Sequence, residues 1–387
     1  MDSCDVLIVG GGPAGSSCAW GLRHSGLNVL ILDKQVFPRD KVCGGWITPA
    51  VLTDLGIDTL EYSRDRVLQP ITSFRVGCIG GSIVESDFGE AVSYGIRRRE
   101  FDDYLLRRSG AKLQLGTALT RLEQSPSGWV ANDRIQARVV VGAGGHFCPV
   151  ARLVGAKKGA EPAVVAQETE FEMDALQLAG CRIRKDTPEL YFCRDMKGYG
   201  WCFRKGDVLN IGLGRADPHR LSAHVGVFLD FLKLAGRISF DVPPQRGHAY
   251  LLEGTSTRTI VGDGILLIGD AAGLAYSQSG EGIRPAVESG LLAAKSILAS
   301  DASYDAKRLD SYPALLARRR RPWSMGAGRY IPSQWIGFLG RSLLKSRWFV
   351  RDVVLDEWFL HAGSSRDLLS LPPNSSFQRA DSGAHFK

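Results

Sequence analysis

The 387-residue chain lacks several features, and each absence narrows what it can be. No apolar run approaches the roughly 18–20 residues of a membrane-spanning helix. The opening MDSCDVLIVG has neither the basic stretch nor the long apolar core of a secretory signal, so no secretion is expected. Eight cysteines are present (4, 18, 43, 78, 148, 181, 193 and 202), but they form no CxxC pair and no spaced Cys/His set. That pattern argues against a metal site and a disulfide framework, and fits reduced thiols in a cytoplasmic protein. There is no internal repeat. No nucleic-acid-binding motif accompanies the positive charge, so nucleic acid is not an expected partner.

What is present is a globular composition, 44% hydrophobic and 23% charged. The length suits one large α/β unit or two intertwined domains. Net charge is +7, and from residue 300 onward 14 Lys and Arg face 8 Asp and Glu, so +6 of it lies there. Arg318 to Arg321 form a basic run, followed by QWIGFLGRSLLKSRWFVRDVVLDEWFL, which mixes aromatic and basic residues. This region reads either as packing helices with solvated basic faces or as a surface for anionic lipid or an amphiphilic substrate.

DVLIV at 5–9 is an apolar β-rich run that ends in glycine, as buried parallel strands do. A helical stretch follows to about residue 24, then a second strand, NVLIL at 28–32, which ends at Asp33. This is a βαβ start. Residues 71–86 read as short strands, 99–109 as a charged helix, and 163–214 as an antiparallel sheet. A helix is expected over 219–235, a buried strand at ILLIGDAAG (265–273), and helices from about 281 onward. The nucleotide-binding fold is therefore assembled from separated segments, 1–70, 95–160 and 255–300. A substrate domain of mainly antiparallel sheet, 71–94 and 161–254, is inserted between them, and 301–387 is helical.

Gly10-x-Gly12-x-x-Gly15 lies between the first strand and helix, with Pro13 and Ala14 inside the turn and Asp33 about 20 residues on. Glycines permit close backbone approach to a pyrophosphate, and the helix N-terminus offers it free N–H groups. Asp33, with Lys34 beside it, suits the adenosine ribose. This triplet does not choose between FAD and NAD. The choice comes from Gly269-Asp270-Ala271-Ala272-Gly273 after a buried strand, and Gly280-Glu281-Gly282-Ile283 opening a helix. Asp270 can hold a ribitol or ribose hydroxyl. Backbone N–H groups near Gly280, Gly282 and Ile283 can face the pyrimidine edge of an isoalloxazine. Two distant motifs that hold the two ends of one extended cofactor suit FAD.

Four blocks carry a resemblance: GGGPAGSSCAW (10–20), FPRDKVCGGWITP (37–49), GYGWCFRKGDVLNIGLG (198–214) and GDAAGLAYSQSGEGI (269–283). The chain resembles the FAD-dependent oxidoreductases of the p-hydroxybenzoate hydroxylase fold, and among them most looks like the geranylgeranyl reductase family. RRREFDDYLL (97–106) is similar to that family's Arg-x-x-Phe-Asp segment, which implies Arg98 against the FAD. The implied fold is α/β: a Rossmann-like FAD-binding domain with an inserted antiparallel sheet and C-terminal helices. Departures are Gly144-Gly145 where the superfamily often has Asp-Gly, and Ser279 near the place of a usual proline.

The resemblance makes 37–49 a loop beside flavin and substrate. Arg39 and Lys41 can neutralise phosphate or a reduced flavin, and Gly44 with Gly45 permits close approach to a ring. Cys43 reads as a proton donor or redox thiol whose pKa Lys41 would lower, or as a small polarisable residue packed at the cavity. Tyr199 and Trp201 share one face of a strand, to wall either a substrate pocket or the sheet core. Arg204 and Lys205 read as an anion site or a solvated strand-end pair. Where flavin-dependent halogenases have Trp-x-Trp-x-Ile-Pro, this chain has Tyr199, Trp201, Phe203 and Arg204, so the halogenase pattern fails at two key positions. His146 and His248, as lone histidines, carry no assignment.

The resulting expectation is an FAD-dependent oxidoreductase that reduces C=C bonds of an apolar or prenylated substrate. The alternatives are a monooxygenase acting on an aromatic or polyketide substrate through a flavin hydroperoxide, a halogenase, and an FAD-binding protein without turnover. No second Gly-x-Gly-x-x-Gly unit exists, so electrons are expected from transiently docked NAD(P)H or from an external reductase or electron-transfer protein. A peripheral membrane contact through the basic C-terminal region is the remaining partner expectation.

Overall fold

The computed structural model describes residues 2–157, 159, 161–319 and 340–362. Its first sheet forms around β1 (Asp2–Val9), which pairs in parallel with β2 (Val29–Asp33) and with strand Ile135–Gly142. Lys112–Leu115 adds outside β2, and Ile265–Leu267 outside Ile135–Gly142, again in parallel. These strands read as continuous apolar runs because both of their faces are covered. Val6, Leu7, Ile8, Val139, Val140 and Val141 are all fully buried.

Helix α1 (Pro13–Leu22) crosses one face of this sheet and packs on the later helix Ile283–Leu298. Small residues set the approach. A Cβ on Gly290 would fall 2.4 Å from the Ala14 carbonyl oxygen, and one on Gly21 would fall 2.7 Å from Ala294 Cβ. Residues more than 260 positions apart thus build one nucleotide-binding unit, and the strand around 265 completes a sheet begun at residue 2.

The second sheet has seven strands, in the order Arg246–Leu251, Ala163–Glu172, Val208–Arg215, Gly198–Lys205, Glu189–Phe192, Ser73–Cys78, Ile83–Asp87. Every pairing in it is antiparallel except that of Ser73–Cys78 with Glu189–Phe192. Helix Leu221–Leu234 covers one face: a Cβ on Gly200 would meet the Phe228 ring at 2.7 Å. Gly200 faces that helix, so its neighbours Tyr199 and Trp201 face the other way, toward the first sheet. A three-stranded sheet of Trp46–Ile47, Ser93–Ile96 and Leu68–Ile71 lies against both units.

Beyond residue 300 the described chain is helical, with Ala306–Leu309, Ser311–Arg318 and a helix of i→i+5 character over Phe349–Phe359. One expectation needs correcting here. Arg319, from the basic run, is not on a solvated face. Its guanidinium is buried against Glu253 (2.8 Å) and Glu288 (3.1 Å), over the Tyr276 ring. Arg320 and Arg321 lie outside the described residues.

Candidate FAD and substrate cavity

Between the two sheets lies one cavity of about 1320 Å³. Ligand pockets are commonly ~300–1,000 Å³, so this one has room for an extended dinucleotide and a second molecule. Of the residues singled out in the sequence, Gly10, Gly12, Pro13, Ala14, Asp33, Lys34, Arg39, Lys41, Cys43 and Gly44 line it. So do Arg98, Asp270, Gly280, Gly282 and Ile283, together with Tyr199 and Trp201. Gly15 and Gly269 do not line the cavity but let its wall close. A Cβ on Gly15 would lie 1.9 Å from the Gly10 carbonyl oxygen, and Gly269, at φ +58°, packs its Cα side on Ala14.

At the dinucleotide end the turn before α1 has no side-chain cap and no acidic residue in its first helical turn. Asp33 braces this turn by accepting the Gly11 N–H at 2.7 Å. Arg39 lies over it, with Nη2 3.4 Å from where a Gly12 Cβ would be. Arg39 and Arg98 share one buried carboxylate, Asp102: Arg98 binds it by a two-pronged fork at 2.7 and 2.8 Å, and Arg39 at 3.1 Å. Two cations on one anion leave a net positive charge, and Arg39 Nη1 is buried without a hydrogen-bond partner. A buried, unsatisfied guanidinium donor above a glycine turn fits the pyrophosphate of a dinucleotide.

Midway along the cavity, Lys41 donates to the His248 ring, with Nζ 2.9 Å from Nε2 and 3.1 Å from Nδ1. Burial and the nearby Arg98 cation push the Lys41 ammonium down to about 8. Burial and Lys41 push His248 down to about 3, so its imidazole is neutral. His248 Nε2 is 4.0 Å from Asp270 Oδ2, and burial raises the Asp270 carboxyl against the pull of Lys41 and Arg98. Gly280, at φ +71°, lies so close to Tyr250 that a Cβ would fall 2.4 Å from its hydroxyl. Gly282 and Ile283 line the cavity where helix Ile283–Leu298 begins; the Arg284 N–H is taken by Glu281 at 3.3 Å, and Pro285 has none.

The opposite wall is made of side chains. Trp201 Nε1–H donates to Asn210 at 2.7 Å, and the Tyr199 hydroxyl donates to the Ser279 carbonyl. Tyr199 and Trp46 each pack on Phe359, at 5.4 Å between centroids. Gly212 is small because the Trp201 ring lies across it, 2.3 Å from a would-be Cβ. The Cys43 backbone is held at both ends by this sheet: its N–H donates to Glu168, and its carbonyl accepts from Asn210 at 3.3 Å. All eight cysteines are free thiols, and Cys43 is the one not fully buried.

Arg204 and Lys205 are neither an anion site nor a solvated pair. Arg204 is bonded to Asp207 at 3.1 Å, and Lys205 is fully buried in an ion pair with Glu170. Gly45, at φ +65°, has no room for a side chain: a Cβ would fall 2.3 Å from the Ile96 carbonyl oxygen and 2.5 Å from Lys205 Nζ. Sequence reasoning left His248 without a role and passed over Tyr250, Glu168, Asn210 and Phe359. A signal existed for Glu168: carboxylates at 168 and 170 alternate with Val165, Gln167 and Thr169 in a strand bonded on both edges. Phe359 gave none, because it arrives from a helix with no motif.

The site thus has a frame for a bipartite nucleotide cofactor on one side and an aromatic wall on the other. The sequence profile of the FAD binding domain family matches residues 3–326, and the chain belongs to that family. It is an FAD-dependent oxidoreductase of p-hydroxybenzoate hydroxylase fold. A digeranylgeranylglycerophospholipid reductase of Methanocaldococcus jannaschii is 29% identical over 321 residues, 76% of each chain. A menaquinone reductase of Mycobacterium tuberculosis is 29% identical over 348 residues, 82% of this chain and 81% of its own. Among solved structures, a geranylgeranyl bacteriochlorophyll reductase-like protein of Thermoplasma acidophilum superposes with a TM-score of 0.74 at 20% identity, covering 95% of both chains.

Proposed function

We propose that this protein reduces C=C bonds of an apolar, prenylated substrate. The observation that carries the reading is the two-sided cavity. One side is glycine backbone with the Arg39, Arg98 and Lys41 cations; the other is Trp46, Tyr199, Trp201 and Phe359, with space left beyond a cofactor. When bound, FAD supplies hydride transfer to the substrate. The chain's own residues then have distinct work. Arg39 would hold the pyrophosphate. Lys41 and the Gly280–Gly282 backbone would hold the ring end and supply it with positive charge. The aromatic wall excludes water and positions an apolar chain. Cys43, Tyr199 and Trp201 are the side chains set against substrate. The names of both sequence relatives support the reading.

Electrons come from docked NAD(P)H or an external reductase. The protein is cytoplasmic, with a peripheral membrane contact through Arg341, Lys345, Arg347 and Trp348, which are exposed. Among the described residues no helix is long and apolar enough to cross a membrane.

The test is anaerobic. Protein loaded with FAD and chemically reduced is mixed with geranylgeraniol, its phosphate ester or menaquinone, and flavin absorbance is followed. Reoxidation with a saturated product is expected. No reoxidation by any of the three, with substrate-stimulated oxygen uptake by an aromatic compound instead, would transfer the protein to the monooxygenases.

A further inference from the structure

Strand Ala163–Glu172 turns Ala166 and Glu168 toward the cavity. Glu168 is only 4% exposed. Gly212 stands opposite it in the ladder, and a Cβ there would fall 2.7 Å from Glu168 Cβ and 2.3 Å from the Trp201 ring. Glu168 and Trp201 therefore lie side by side on the wall that a substrate would touch. Among the described residues the Glu168 carboxyl has one hydrogen bond, from the Cys43 N–H.

The surrounding charges are already committed. Lys205 is paired with Glu170, which also accepts from Asn210 at 3.1 Å. Lys41 is bonded to His248. Glu168 is thus a buried carboxyl without a counter-ion of its own. Burial pushes it up to about 7, with Glu170 adding to the rise, while Lys205, the Cys43 N–H and Lys41 oppose it. A carboxylate placed only to brace Cys43 would gain from a cation beside it; a carboxyl that carries a proton needs this neutral setting.

We propose that Glu168 is the proton source for substrate reduction. The proposal rests on the reductase reading. One substrate carbon takes a hydride from the reduced flavin, which becomes oxidised, and the other takes the Glu168 proton. The C=C π bond breaks and two C–H bonds form. The Glu168 carboxylate then regains a proton from water, and an external NAD(P)H-type or protein donor restores the flavin electrons. Cys43 lines the cavity beside the carboxyl as a packing residue.

The experiment compares wild type, E168Q and E168D. Anaerobic reoxidation is measured with whichever prenyl probe the wild type reduces. E168Q keeps the acceptor for Cys43 and should slow this step by roughly 100-fold, with FAD affinity unchanged. The wild-type rate should fall as pH rises through about 7. E168D should restore part of the rate and keep a pH dependence. In the flavin-free protein, the infrared difference between wild type and E168Q should show a protonated-carboxyl band that disappears on raising pH through the same range; Glu281, also buried at the cavity and pushed up to about 8, contributes to both and cancels. An E168Q rate within threefold of wild type with the same pH profile overturns the proposal while leaving the reductase reading intact. So does a slow E168Q beside an E168D without pH dependence, which would make Glu168 a brace for Cys43. A wild type that reduces no prenyl probe removes the reductase reading and the proposal together.

Discussion

The two walls of the cavity are built from different materials. The nucleotide wall is largely backbone with a few cations set over it: at Gly10, Gly15 and Gly280 a Cβ would fall within 2.4 Å of another atom. The substrate wall is side chains, held by a polar network of Glu168, Glu170, Asn210, Trp201 and Lys205. A backbone wall fails through steric contact and a side-chain wall through lost partners, so the two should break in different ways and by different amounts.

The largest effect is expected at Gly15. Gly15→Val places a side chain where even a Cβ would be 1.9 Å from the Gly10 carbonyl oxygen. FAD affinity should fall roughly 100-fold, about 2.7 kcal/mol, by flavin fluorescence titration. Near-normal binding would mean that the backbone wall yields more than its contacts imply. Next comes Lys205→Met, which takes from the Glu170 carboxylate its buried cation and leaves it Asn210 at 3.1 Å and Arg97 at 3.9 Å. A loss of about 2 kcal/mol is expected in urea unfolding, with FAD affinity preserved; Lys205→Met combined with Glu170→Gln should regain much of it. Loss of flavin in the single variant would erase the contrast between the walls.

Acid should act through His248. Its folded pKa, about 3, lies below the ordinary value of 6.5. The unfolded chain therefore takes up this proton first as pH falls, and stability is lost progressively from about pH 6.5 toward 3. The slope should be roughly 1 kcal/mol per pH unit in the flavin-free protein, and His248→Gln should flatten it. An unchanged slope would mean that other groups carry the acid sensitivity. The smallest effect is expected from Cys43→Ser, less than about threefold on anaerobic reoxidation if the thiol only packs. A loss as large as that of E168Q would restore the thiol as the proton carrier.

The same division explains what could be read from the chain beforehand. Backbone walls leave a mark in sequence, because a turn that admits only glycine must show glycine at fixed spacing. Gly10, Gly12, Gly15, Gly280 and Gly282 were legible for that reason, as were the apolar parallel strands that lead into them. The substrate wall was legible only where alternation exposed it, at Tyr199 and Trp201. Lys205 read as a solvated charge because its partner Glu170 is a tertiary neighbour with no local signature. Arg319 was misread in the same way, since Glu253 and Glu288 are 66 and 31 positions distant. Phe359 joins the pocket across most of the chain's length.

The double tether on Cys43 has a mechanical meaning. Its N–H and carbonyl are both bound to the second sheet, while its loop belongs to the first unit. Swinging the two units apart would strip both bonds, at about 1 kcal/mol each or more where a polar group is left dry. A jaw that costs this much to open is poorly suited to clamping down on its cargo. A stitched seam favours a sleeve, into which a long flexible molecule slides end first, so that the double bond it presents depends on how far it has travelled.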